Sequence, residues 1–242
     1  MERRAPGRGV SQEIRRNQAM TMHDRTMHDR TTDEPPGRMY AALLAVLGRY
    51  ALVIGGEDRW RREPGYVFVP LELPGGVFPA DTPPDAALAA LGARWLGCPL
   101  RLWSASATYG PTPAHAIDRL PPRDPPAPLL VLERMAPGDP ERGSGVRRVT
   151  LELFHATVDK GAAIAAQGAS AGLLWLSWQA MRQVVRGLPL ADLLARDDVR
   201  LEPRPGVALP PETLIYLTAE YGERLLLRVA AKYGAQALGK EV

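Results

Sequence analysis

Residues 73–98 read LPGGVFPADTPPDAALAALGARWLGC. Pro74-Gly75-Gly76 is a turn signal that stops the β-rich run Tyr66–Leu71. Pro83 or Pro84 suits the first turn of a helix, and Asp85 sits at the positive end of its dipole. Alanine and leucine propagate that helix to Leu96, where Gly97 stops it. Gly92, inside the helix, weakens it by up to about 1 kcal/mol relative to alanine. The stretch predicts strand, turn and helix in that order.

Upstream, residues 1–38 are polar, Arg-rich and without apolar periodicity, and they hold the tandem repeat TMHDR-TMHDR over Thr21–Arg30. Such sequence predicts a disordered tail. His23 and His28 belong to a duplicated, solvated segment rather than a metal-binding tract. Met20, Met22, Met27 and Met39 place the expected start of translation downstream of Met1. Met39–Leu47 is a short apolar run expected as a helix, Tyr50–Gly55 a buried central strand, and Glu57–Pro64 a charged loop.

Downstream, Arg101–Tyr109 alternates like a strand. The segment to Pro128 carries seven prolines and is expected as a long, stiff surface loop. Leu129–Arg134 and Arg147–Val158 form the best hairpin signal, joined by the turn-forming APGDPERGSG. LLWLS then runs into a helix with Ser177 as N-cap and Gly187 as stop, and a short helix follows Pro189. Leu214–Leu217 has strand character. Thr218 is expected to cap a helix over Ala219–Tyr233, in which Tyr221, Leu225, Val229 and Tyr233 recur every four residues with Leu226 alongside. That stripe packs on the domain itself; in the alternative it makes a homodimer.

Composition narrows the function classes. The chain has 242 residues, enough to bury a sizeable core, and Lys+Arg of 30 against Asp+Glu of 27 leaves only +3. Lys160, Lys232 and Lys240 are its lysines, so the other 27 basic residues are arginine, a codon habit rather than a nucleic-acid grip. Cys98 alone forms no internal disulfide, and no zinc-type Cys/His spacing occurs. No stretch reaches the roughly 18 to 20 apolar residues of a membrane span. A soluble, cytoplasmic protein is expected.

With these residues in place, the stretch resembles the box of the Nudix superfamily, G-x5-E-x7-R-E-U-x-E-E-x-G-U with U a bulky apolar residue. Gly76 takes the first glycine and Gly97 the last without a gap, Ala87 the frequent helical alanine, and Cys98 the final apolar position. The strand with Arg147 and Leu151–Phe154 is similar to the family's R-x-x-x-L-E-L-F pattern, and a G-L-L-W-L-S-W element precedes a helix. The resemblance covers about residues 45–187. It implies an α/β fold, a Nudix-like α/β/α sandwich with a mixed central sheet. The expected organisation is a Nudix-like domain over 39–187 and a C-terminal extension over 188–242.

In the family the box glutamates hold divalent metal ions that polarise a diphosphate and activate water. Here the first Glu position is Thr82, the Arg-Glu pair is Ala90-Leu91 and the Glu-Glu pair is Arg94-Trp95, while Pro79 replaces the Glu of the usual G-G-x-x-E loop. Every box carboxylate is replaced, and Arg94 opposes a divalent ion. The resemblance thus implies pyrophosphohydrolase ancestry with that activity lost, no metal cofactor, and a nucleotide-sensing or interaction role. In the alternative, Mg²⁺ or Mn²⁺ is held by relocated acids, Glu72 and Asp81, with Asp85 and Glu152 also near. Asp81 and Asp85 are otherwise turn and helix-start residues. Glu72, Leu91, Arg94 and Trp95 are the groove candidates for a nucleotide-like ligand. Leu91 and Trp95 either fill the space that metal and substrate take in the family, or, with Arg94, stack a base and pair a phosphate. His115 and His155 are expected to be structural or solvated.

Overall fold

The computed structural model describes residues 37–113, 116–137 and 146–238. They belong to the unit Pro35–Val242, the first unit being Met1–Glu34. The tail expected over 1–38, with His23 and His28, falls outside the described residues but for its last two. His115 and the turn at 138–145 fall outside them as well.

The first strand overturns an expectation. Arg38–Val46 is β1, not a helix. Periodicity does not separate a short apolar run buried as a strand from one buried as a helix, and here both faces are covered. Met39, Ala41 and Leu43 enter one core cluster, while Tyr40, Ala42 and Leu44 enter the other. A nine-residue strand serves both cores at once because successive side chains alternate across the sheet.

From β1 the sheet spreads both ways. Along one side β1 pairs in parallel with β10 (Val146–Thr157), whose antiparallel partner is β9 (Leu130–Pro137), the hairpin anticipated from sequence. On the other side β1 pairs first with β5 (Gly75–Phe78) through Arg38–Ala41, then with β2 (Arg49–Ile54) through Leu44–Val46. β2 continues to β4 (Tyr66–Glu72), and β4 pairs in parallel with β14 (Thr213–Leu217). β11 (Gly172–Leu176) lies between β2 and β13 (Val199–Pro203). The remaining strands are short: β3 (Arg61–Glu63), β6 (Arg101–Trp103), β7 (Tyr109–Pro111), β8 (Ile117–Arg119) and β12 (Leu188–Pro189). The sheet is mixed, and β13 had no signal in the sequence reading.

Helices cover both faces. α1 (Pro84–Leu96) places Ala87, Leu88, Leu91 and Leu96 in the cluster with Tyr40 and Phe154. On the opposite face lie α2 (Trp178–Gln183), α3 (Leu190–Leu194) and α4 (Glu223–Tyr233), contributing Met181, Leu193, Leu226 and Val229. The architecture is the α/β/α sandwich with a mixed central sheet. Ser177 caps α2, its hydroxyl accepting from the Ala180 N–H at 3.1 Å. No helix among the described residues is long and apolar enough to cross a membrane.

Three further expectations are revised. Gly75 and Gly76 are not a simple turn but strand residues paired with Ala41 and Tyr40. The proline-rich segment contains a hairpin, with Tyr109–Pro111 paired to Ile117–Arg119, because prolines are tolerated on so short an edge. α4 begins at Glu223 rather than Ala219, since Gly222 takes φ 86°, a left-handed conformation outside the helix. The Thr218 hydroxyl still serves the helix start, donating to the Glu223 carboxylate at 3.2 Å.

Candidate functional site

The glycine-to-glycine frame Gly76–Gly97 is built as strand, loop and helix. β5 carries Gly75 and Gly76 along β1, residues 79–83 form the loop, and α1 lies back over the strand. Gly97 ends α1 at φ 72°, and the last carbonyls of the helix are met by the segment after β10. The Ala165 N–H donates to the Leu96 carbonyl at 3.0 Å and the Gln167 N–H to that of Trp95 at 3.1 Å.

The helix face that the resemblance assigns to metal chemistry is filled by packing. Leu91 is buried, and a Cβ placed on Gly76 would stand 3.3 Å from its Cδ2. Trp95 donates its indole N–H to the Gly75 carbonyl at 3.1 Å. Arg94 is exposed, its guanidinium 5.1 Å from the Trp95 ring centroid. Ala90 is exposed as well, and Thr82 is engaged through its carbonyl, which accepts from the Tyr40 hydroxyl at 2.9 Å. Gly92 has a role that helix propensity conceals: a Cβ there would meet the Cys98 carbonyl and the Leu100 nitrogen at 2.4 Å each. The chain leaving α1 crosses directly over Gly92.

Of the candidate acids, Glu72 and Glu152 lie beside arginines, and Asp81 and Asp85 are exposed. Glu72 is 1% exposed and receives both oxygens' hydrogen bonds from Arg59, at 2.7 Å for Oε2. Burial pushes the Glu72 carboxyl above its ordinary range, and Arg59 pulls it part of the way back. Arg59 also donates to Glu220 at 3.0 Å. Behind this pair, Glu223 is buried and accepts from the Leu73 N–H at 3.1 Å and the Tyr221 N–H at 2.9 Å, its pKa raised by burial. Glu152 on β10 lies 3.7 Å from Arg38 and 3.6 Å from Arg123. His155 on the same strand is half-buried, and burial lowers its pKa to about 4. Cys98 is a buried thiol whose pKa burial raises.

Among the described residues no three His, Cys, Asp or Glu side chains converge in a way that could hold a metal ion. The box positions do not fit a divalent cation, because none offers a carboxylate and Arg94 brings a positive charge. The structure thus brings Leu91 and Trp95 together against Gly75 and Gly76, leaves Arg94 at their solvent edge, and pairs Glu72 with Arg59 in a cluster that meets Gly75 through the Tyr221 ring. That cluster, with Arg59, Glu220, Tyr221 and Glu223, had no signal in the sequence reading, since its members come from a loop and a helix start distant along the chain.

No protein-family model matches the chain, and no curated protein matches its sequence. Solved structures do. A hydrolase of the NUDIX family from Clostridium perfringens has 11% identity and a TM-score of 0.37, over 66% of this chain and 93% of that one. A NUDIX hydrolase from Nitrosomonas europaea has 13% identity and a TM-score of 0.34, over 73% and 99%. A MutT/nudix family protein from Enterococcus faecalis has 10% identity and a TM-score of 0.31, over 96% and 75%. At such scores these likenesses add no argument to the frame already described. The mixed sheet with helices on both faces is the α/β/α architecture that the resemblance of residues 73–98 implies.

Proposed function

We propose that this Nudix-like protein has lost metal-dependent nucleoside-diphosphate pyrophosphohydrolase activity and acts as a nucleotide-sensing or interaction module. One observation carries the proposal: Leu91 and Trp95, at two carboxylate positions of the box, pack on the backbone of Gly76 and Gly75. A divalent ion there finds no carboxylate ligand, and Arg94 repels it at the edge. What this edge offers instead is a half-buried indole with the exposed Arg94 guanidinium 5.1 Å from its ring, a pairing suited to a base and a phosphate.

Two measurements test this. Assays with Mg²⁺ or Mn²⁺ on ADP-ribose, NADH and nucleoside triphosphates should stay far below about 1 s⁻¹, an ordinary enzyme turnover. Turnover at that level, abolished by Glu72→Gln, would instead establish a hydrolase with relocated acids. A thermal-shift panel should find a nucleotide that raises Tm by about 5 °C at 100-fold excess over its Kd, equally with and without divalent metal. A shift that requires metal would overturn the sensing proposal.

A further inference from the structure

Beyond the other end of β1, away from Thr82, lies a cleft of about 250 Å³ between the β1–β2 hairpin, the segment after β10 and the strand pair β11–β13. It is smaller than the roughly 300–1,000 Å³ of pockets for drug-sized ligands, so it does not suit a dinucleotide. Its apolar walls include Leu47, Ile164 and Trp175, and its charged rim is Arg49, Arg200 and Glu202.

Three features of this cleft bear on what it could hold. Leu47 is 87% exposed and stands at φ 50°, the one described non-glycine residue with positive φ. With Gly48 at φ 72° it forms the two-residue turn of the β1–β2 hairpin, which requires positive φ at both positions, and it leaves an apolar side chain uncovered at the mouth of the cleft. Trp175 is 8% exposed, yet its indole N–H has no hydrogen-bond partner among the described residues. An unmade hydrogen bond of this kind is costly. The charges at the rim do not balance either. Arg200 pairs with Glu202 at 2.9 Å, whereas Arg49 donates to the Asp197 carbonyl at 2.8 Å and joins no ion pair among the described residues. One net positive charge therefore lies at the rim of an apolar cleft.

We infer that this cleft binds a small monocarboxylate with an aromatic or branched apolar body. The body lies against Leu47, Ile164 and the Trp175 ring, and the carboxylate meets the arginine rim. Cross-strand pairing sets the geometry: Trp175 lies opposite Arg200 in the β11–β13 ladder, so the two side chains share a face. The site is separate from the box groove, and its test does not depend on the function proposed for that groove.

Phenylacetate is a suitable probe, with acetate and phenylacetamide as controls that each lack one half of the recognition. Calorimetric titration of the full chain should give a saturable Kd of about 1 mM or tighter for phenylacetate, and values at least roughly tenfold weaker for both controls. Arg200→Gln, at a side chain 66% exposed, should weaken phenylacetate severalfold without unfolding the chain. Leu47→Gly should weaken it as well while leaving Tm unchanged or raised, because glycine relieves the positive φ. The inference fails if phenylacetate does not saturate below about 20 mM, if phenylacetamide binds as well, or if both variants bind as the parent does.

Discussion

Gly92 shows how one residue changes meaning between sequence and structure. Helix propensity alone makes Gly92→Ala stabilising by about 1 kcal/mol. The 2.4 Å approach of the Cys98 carbonyl and the Leu100 nitrogen reverses the sign, since backbone atoms on both sides must move. Gly92→Ala should destabilise the protein by about 1–3 kcal/mol in urea unfolding, and a gain in stability would refute the close crossing. At His155 the prediction concerns pH. Its folded pKa of about 4 lies below the ordinary value of about 6.5, so the unfolded chain takes up the proton first. The stability it contributes is complete above about pH 6.5 and is lost as pH falls toward 4. An NMR titration should leave the His155 ring signals unmoved from pH 8 to about 5.5, and a midpoint near 6.5 would show the ring to be solvated.

At the scale of elements, α1 and the β9–β10 hairpin were legible because their signals are local: proline and aspartate at a helix start, glycine at its end, and two β-rich runs around a turn. β1 was not. Eight of its nine residues are apolar without useful period, and only the two cores on either side decide for a strand. α4 was legible in its stripe but not in its start, which Gly222 and the Glu223 carboxylate set through contacts to Leu73 and Tyr221. Leu226 and Val229 are fully buried in the chain's own core, and a Cβ on Gly75 would collide with the Tyr221 ring. A chain ending at Thr218 should therefore lose cooperative thermal unfolding and aggregate, because the sheet face under α4 is uncovered. A folded, soluble monomer from that truncation would show α4 to be a detachable appendage.

At the scale of the whole molecule, the two cores share β1 and β2, so neither face can open without exposing the other. Trp60 and Trp178 report on one core and Trp95 and Trp175 on the other. Urea unfolding followed by Trp fluorescence should coincide with far-UV circular dichroism in a single transition, whereas two separated transitions would mean that the faces fold apart. The sequence by itself determined the spacing from Gly76 to Gly97, the loss of every box carboxylate and the order of most strands and helices, since these depend on residue identity and short-range period. Only the tertiary structure decided that Leu91 and Trp95 pack against the glycine strand, that Glu72 is neutralised by Arg59, and that Leu47 and Trp175 frame a second cleft. Each of those outcomes joins side chains far apart along the chain, and burial, pairing and close approach are set by the neighbours that the folded sheet supplies.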